Sequence, residues 1–358
     1  MKTAPAGSQI DSADSPFLDQ LCEQIRELPP SDNWPTEKIT LLDSAGVYRW
    51  FVPTELGGLG WSSSDIVRGY LKLSSSCLTT TFILTQRVAA LRRICSSPNA
   101  KTRDAILPNF MDGKSVATVG ISHLTTSQQH LGEPALRAEM KQGGFEINGY
   151  SPWVTGAGQV DRIFMGAQLN DGRQILFLIN TDVPGMTIKK GFDLMALSGS
   201  QTGPVHCDQI FVSNENVLFG PAKNVLAATG TATGSFQTSS LAIGLSRAAL
   251  DFIKAETENR PDLEVNYQAL ASQYDDLENR LLTLASGVPI CSNEELRSEA
   301  NSFALRVTQS AMVAAKGSGF VNGHPVGQWC REAFFFLVWS CPQAVLQAHL
   351  CEFAGIES

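Results

Sequence analysis

The sequence has no CxxC pair and no cluster of cysteines; its eight cysteines are scattered over 358 residues. A disulfide-dense scaffold is excluded, and free thiols in a reducing cytoplasm are expected. No apolar run approaches the roughly 20 residues of a membrane span, so no spanning segment is predicted. An excess of positive charge is missing too. The net charge is -8, which argues against nucleic acid or an anionic membrane surface as a partner. The opening MKTAPAGSQIDSADSP lacks the apolar core of a secretory signal and reads as a polar, frayed end. There is no internal repeat and no low-complexity tract. What remains, 43% apolar and 17% charged, is ordinary for a soluble globular protein. The length exceeds most single cores and predicts two or three packed lobes.

Three blocks follow one another along the chain. To about residue 115 the periodicity is helical. Phe17, Leu18, Leu21, Ile25 and Leu28 recur at helical spacing, and Pro29-Pro30 stops them. TEKITLLDSAGV, TTTFILTQRVAALRRICS and NAKTRDAILPNFMDG predict further helices. Between them Gly57-Gly58-Leu59-Gly60 breaks regular structure, and Ser63 or Ser64 is placed to cap the next helix. From about 116 the runs are short, alternating and rich in β-formers. Asn170-Asp171-Gly172 predicts a hairpin there. After Pro221 three long helical patterns return, such as TSSLAIGLSRAALDFIKAETEN.

Several segments, in order, carry a resemblance. They are Pro53-Thr54-Glu55-Leu56-Gly57-Gly58-Leu59-Gly60, LPNFMDGKSVATVGIS, NGYSPWVTGAG, LAIGLSRAALDF and GSGFVNGHPVGQWCREA. Together they resemble the acyl-CoA dehydrogenase superfamily of flavoproteins, from about Phe51 to the end. The resemblance implies an α+β multidomain fold. Its parts would be an N-terminal helical domain (1–115), a middle β-barrel-like domain (116–222) and a C-terminal four-helix bundle (223–358).

The resemblance also implies FAD as cofactor. Trp153 would lie against the isoalloxazine and Thr155 beside flavin N5. An indole covers a ring face and excludes water, and a hydroxyl can donate to a developing anionic nitrogen. The plainer alternative is a Trp packed on a sheet before a turn. Ser122 would serve the flavin pyrimidine edge and Ser127 a phosphate. Arg260 and Gln268 would reach the cofactor of a neighbouring subunit. The family's Phe-Gly after that Arg is missing, and Val313 stands where a second cofactor-contacting Gln is usual. Arg260 also reads as a solvated helix end beside Glu258.

The base is the gap. The family uses a carboxylate to remove the proton alpha to a thioester carbonyl, and burial raises its pKa towards neutrality. Counting from Arg331-Glu332-Ala333, the usual Glu position is Ser340, in Trp339-Ser340-Cys341-Pro342. The alternative position falls near Gly234 and Ser235, which are not carboxylates either. Cys341 and His123 are the remaining titratable candidates; each also reads as a packing residue. Three readings stay open. One is a FAD-dependent oxidoreductase acting on an acyl thioester such as an acyl-CoA, by hydride transfer to N5. Another is a reduced-flavin monooxygenase or oxidase on the same fold. The last is a non-catalytic homo-oligomeric relative. A homodimer or homotetramer is expected, because the apolar bundle helices suit packing between subunits.

Overall fold

A computed structural model describes residues 10–124, 134–229 and 236–356. The first helices are α1 (Pro16–Glu27), α2 (Thr36–Ser44), α3 (Ser63–Ser76), α4 (Leu78–Cys95) and α5 (Ala100–Met111). α1 buries Leu18, Leu21, Cys22 and Ile25, one stripe at helical spacing. The cap of α3 is Ser62, one residue before those predicted. Its Oγ accepts the Asp65 backbone N–H at 3.1 Å. α4 is buried without a break from Leu78 to Leu84, so it is the central helix of this lobe.

Eight strands follow among the described residues. They are β1 (Ala117–Gly120), β2 (Leu136–Lys141), β3 (Gly144–Val154), β4 (Arg162–Leu169), β5 (Gln174–Asn180), β6 (Met186–Ile188), β7 (Gly203–Ser213) and β8 (Val217–Ala222). They form one mixed sheet in the order β6-β7-β3-β2-β4-β5-β8, with β1 running parallel to β4. β4 and β5 pair from Arg162–Asn180 to Gln168–Gln174 and turn through Gly172, as the Asn-Asp-Gly signal predicts. Alternation sends Ile147, Val154, Ile163, Phe177, Val205 and Ile210 into a core of the sheet's own. Phe164, Leu176 and Leu178 point the other way, into the core shared by the helices.

The last part is helical: α6 (Phe236–Thr257), α7 (Glu264–Ala285), α8 (Asn293–Ala315), α9 (Pro325–Phe335) and α10 (Gln343–Ala354). α8 opens with a reciprocal cap between Ser292 and Glu295. α6 lies on α3, where the Ser74 hydroxyl donates to the Leu241 carbonyl at 2.8 Å. One apolar core therefore runs from the first helices into the last. The apolar run after Arg331 does not stay helical to Ser340. α9 ends at Phe335, and residues 336–340 turn. Two side chains of α8 hold that turn: Asn301 donates to the Phe336 carbonyl at 2.9 Å and Arg297 to the Trp339 carbonyl at 3.0 Å. α10 then follows.

Candidate functional site

β3 pairs with β7 as far as Val154, with a bulge between Ser151 and Val154. The bulge throws Trp153 outward, where it is 51% exposed. Its ring leans on Phe192, with centroids 4.7 Å apart. Phe192 sits on the excursion between β6 and β7, and its N–H donates to the Thr202 carbonyl at 2.9 Å. Thr155 turns inward and is buried. Its hydroxyl lies 2.9 Å from that of Thr202, which lies 2.8 Å from that of Ser200. Three buried hydroxyls thus form a chain directly behind the exposed aromatic pair.

Two glycines flank that chain. A Cβ on Gly156 would lie 2.7 Å from the Trp34 ring, and one on Gly199 would lie 2.8 Å from the carbonyl oxygens of Ser31 and Asn33. No side chain fits at either place. The segment 31–34, between α1 and α2, therefore lies across both turns as a strap. Arg87 anchors it. Its guanidinium sits 5.5 Å from the Trp34 ring centroid, bonds the Tyr48 hydroxyl at 2.8 Å and pairs with Asp43 at 3.5 Å.

Other residues singled out in the sequence fall as follows. Ser122 is half-buried in the short turn Ser122–Leu124 that follows β1. His123 is buried, and its Nε2–H donates to the Gly166 carbonyl at 2.7 Å. Burial lowers its pKa, so the ring is neutral and ties the turn to β4. Ser127, Gly234 and Ser235 lie outside the described residues. Arg260 sits between α6 and α7, where it donates to the Ala314 carbonyl at 2.9 Å and pairs with Asp262. Gln268 is exposed and donates to Glu264. Both terminal nitrogens of Arg260 and the amide nitrogen of Gln268 have partners within the helical lobe. Ser340 is exposed at the turn after α9, with a left-handed backbone. Cys341 is half-buried; burial raises its pKa and nearby Arg297 opposes the rise.

The group that sequence reasoning passed over is Glu332. It is 2% exposed, and it is the one carboxylate among the buried described residues. Burial pushes it up to about 7, against hydrogen bonds from Gln328 at 2.8 Å and Thr79 at 3.4 Å. The methyl of Thr79 in turn lies 3.4 Å from where a Cβ on Gly199 would be. Glu332 therefore stands at the seam where α4 and α9 meet the site's back wall. A signal was present: a carboxylate heading the seven-residue apolar run AFFFLVW. Phe82, Phe335 and Trp339 close the same seam, with T-shaped contacts at 4.9 and 5.4 Å and a stack at 5.1 Å. Thr202 and Ser200 were also passed over, because nothing local marks them.

No family model matches the chain. It is 22% identical over 303 residues to a mitochondrial 2-methylacyl-CoA dehydrogenase of Solanum tuberosum, covering 78% of this chain and 73% of that protein. Among solved structures it resembles butyryl-CoA dehydrogenase from Megasphaera elsdenii, with a TM-score of 0.78 at 18% identity over 99% of each chain. It also resembles dibenzothiophene monooxygenase from Paenibacillus sp. A11-2, with a TM-score of 0.74 at 15% identity over 95% of this chain and 97% of that one. Sequence relatives and fold point the same way: the chain is similar to acyl-CoA dehydrogenases in sequence and shares their fold.

Proposed function

We propose that the chain is a flavin-dependent oxidoreductase of the acyl-CoA dehydrogenase type, acting on an acyl thioester or a similar substrate, with FAD as the flavin. One observation carries this reading: an exposed indole, Trp153, stands next to the last residue of β3 and two residues before a buried hydroxyl, Thr155. The residues at this end fit a flavin ring. Trp153 and Phe192 offer an open apolar shelf, and Thr155 offers a hydroxyl shielded from water. The helical lobe fits the adenylate end less well, since Arg260 and Gln268 are held by their own neighbours.

A bound flavin would supply the hydride acceptor. Trp153 would cover one face of the ring and keep water from it. Thr155 would present its hydroxyl at the ring edge. Ser340 has no carboxyl to offer, and burial keeps Cys341 protonated at neutral pH. Glu332 is the group whose carboxylate accepts a proton near neutrality, which suits removal of an acidic substrate proton. For the helical lobe we propose a homodimer or homotetramer, supported by exposed Val313, Phe320, Val321 and Phe353.

The bare turn at Ser340 favours one second reading, a reduced-flavin monooxygenase or oxidase, whose chemistry needs no base there. The absorbance spectrum of purified protein, mixed without oxygen with a panel of acyl-CoA thioesters, separates the two. Bleaching of bound flavin by a thioester is expected. No bleaching, with oxygen uptake when reduced flavin is supplied, transfers the assignment to the second reading. A colourless protein that takes up no added FAD or FMN overturns both and leaves a non-catalytic relative.

A further inference from the structure

Asn301 of α8 and His349 of α10 are buried against each other beside the turn at 336–340. Asn301 Nδ2 donates to the Phe336 carbonyl at 2.9 Å and lies 3.3 Å from His349 Nε2. At the other edge of the ring, Nδ1 lies 3.4 Å from the Ser302 hydroxyl and 3.5 Å from Glu352 Oε2. That hydroxyl itself donates to Glu352. These contacts admit one assignment of protons. A carbonyl only accepts, so the nitrogen of the amide must face Phe336. Its second N–H then points at Nε2, which must be bare. The ring is therefore neutral with its proton on Nδ1, where Ser302 Oγ and Glu352 can accept it. Every donor in the row Asn301, His349, Ser302 thus has an acceptor, and the row ends on an exposed carboxylate. Within the row only Asn301 Oδ1 is left over, buried with no hydrogen-bond partner.

A second proton on the ring breaks this pattern. Nε2–H would face an N–H of Asn301, donor against donor, in a site closed to bulk solvent. Turning the amide over brings the idle Oδ1 onto Nε2–H but sets an oxygen against the Phe336 carbonyl. Asn301 cannot serve a charged His349 and Phe336 together. We infer that His349 is a pH-sensitive latch, whose protonation frees the 336–340 turn from Asn301 and leaves Arg297 as its remaining tie to α8. The turn carries Trp339, which packs with Phe335 on Phe82 at the seam beside Glu332, so acid loosens that wall. On α10, Glu352 favours the proton. On α8, Arg297, one turn before Asn301, and Arg306, one turn after Ser302, oppose it. Asp276 of α7 and Glu299 of α8 line the same groove as Ser302, Arg306 and Glu352, and Arg280 pairs with both acids. The first titratable side chain after the turn is Cys341. These charges set where along the pH scale the proton binds; the shared amide nitrogen sets what it does.

Backbone hydrogen exchange of residues 336–339 reads the latch, since their N–H groups bond to carbonyls of residues 333–335 and open with the turn. Wild type and variant are compared at the same pH, which cancels the intrinsic pH dependence of exchange. His349→Gln offers Asn301 an acceptor that never titrates. The ratio of wild-type to His349→Gln exchange rates is expected to be near one at about pH 8 and to rise to roughly threefold to tenfold at about pH 5.5, the scale of one net hydrogen bond. A ratio that stays flat across that range overturns the inference. Should His349→Gln fail to fold, Glu352→Gln decides. It removes a charge that favours the proton, so wild type should exchange as fast as this variant at about pH 8 and faster than it on acidification. Coincident rates throughout the range overturn the latch. Neither comparison requires bound flavin, so the result leaves the flavin reading where it stands.

Discussion

Ser340 holds a φ of +47°, where the β-carbon of an L-residue crowds the backbone. The turn keeps it there because Arg297 and Asn301 fix the carbonyls of Trp339 and Phe336. Ser340→Gly should therefore stabilise the protein by about 1 kcal/mol, seen as a higher urea midpoint. Glu332 carries the opposite lesson. Its carboxyl ionises at about 7 in the folded chain against an ordinary 4.5. A pKa raised by folding favours the folded state while the proton is on. That contribution is complete below about pH 4.5 and is lost as pH rises through about 7. At about 1.4 kcal/mol per pH unit the loss is on the order of 3 kcal/mol. Glu332→Gln keeps an oxygen for Gln328 and Thr79 and cannot ionise. It should match wild type at pH 4.5 and exceed it at pH 8 by about 1–3 kcal/mol, measured by thermal unfolding across pH. An equal difference at both pH values would remove the raised carboxyl from the account.

At the scale of elements, the strap and its two glycine turns act as one unit. Gly156→Ala places a methyl into the Trp34 ring and strains a backbone at φ +61°. The expected loss is about 2–3 kcal/mol of stability. Trp34→Ala in the same chain should return part of it, since the two residues touch; a strictly additive double variant would separate strap from turn. Helices and strands themselves were legible from the sequence. Hydrophobic period changes near residue 116 and again after Pro221, and the hairpin at Asn170-Asp171-Gly172 follows from local turn chemistry. Ser62 rather than Ser63 or Ser64 caps α3, because three adjacent serines offer the same hydroxyl and only tertiary packing selects among them. Trp153 and Thr155 could be read because they share a strand end. Thr202 could not, since it lies 47 residues away and joins them only by sheet pairing. Glu332 was visible merely as half of a charged pair with Arg331, and its burial belongs to the meeting of α4 with α9.

At the scale of the molecule, the helical lobe leaves Phe320 and Val321 exposed beside Val313. A homo-oligomer would cover such a patch. Light scattering on Phe320→Asp/Val321→Asp should report a shift towards monomer, with the circular dichroism of the wild type retained. No change in mass would move the subunit contact elsewhere. The single helical core built from both ends of the chain has a consequence for synthesis. Thr79 meets Glu332 across 253 residues. At about 5–20 residues per second, roughly 13–50 s pass between their appearance at the ribosome. Through that interval the run Leu78–Leu84 has emerged without the wall that buries it. The first lobe is thus an apolar guest awaiting its own C-terminus. A chaperone that holds nascent chains would find its natural grip there.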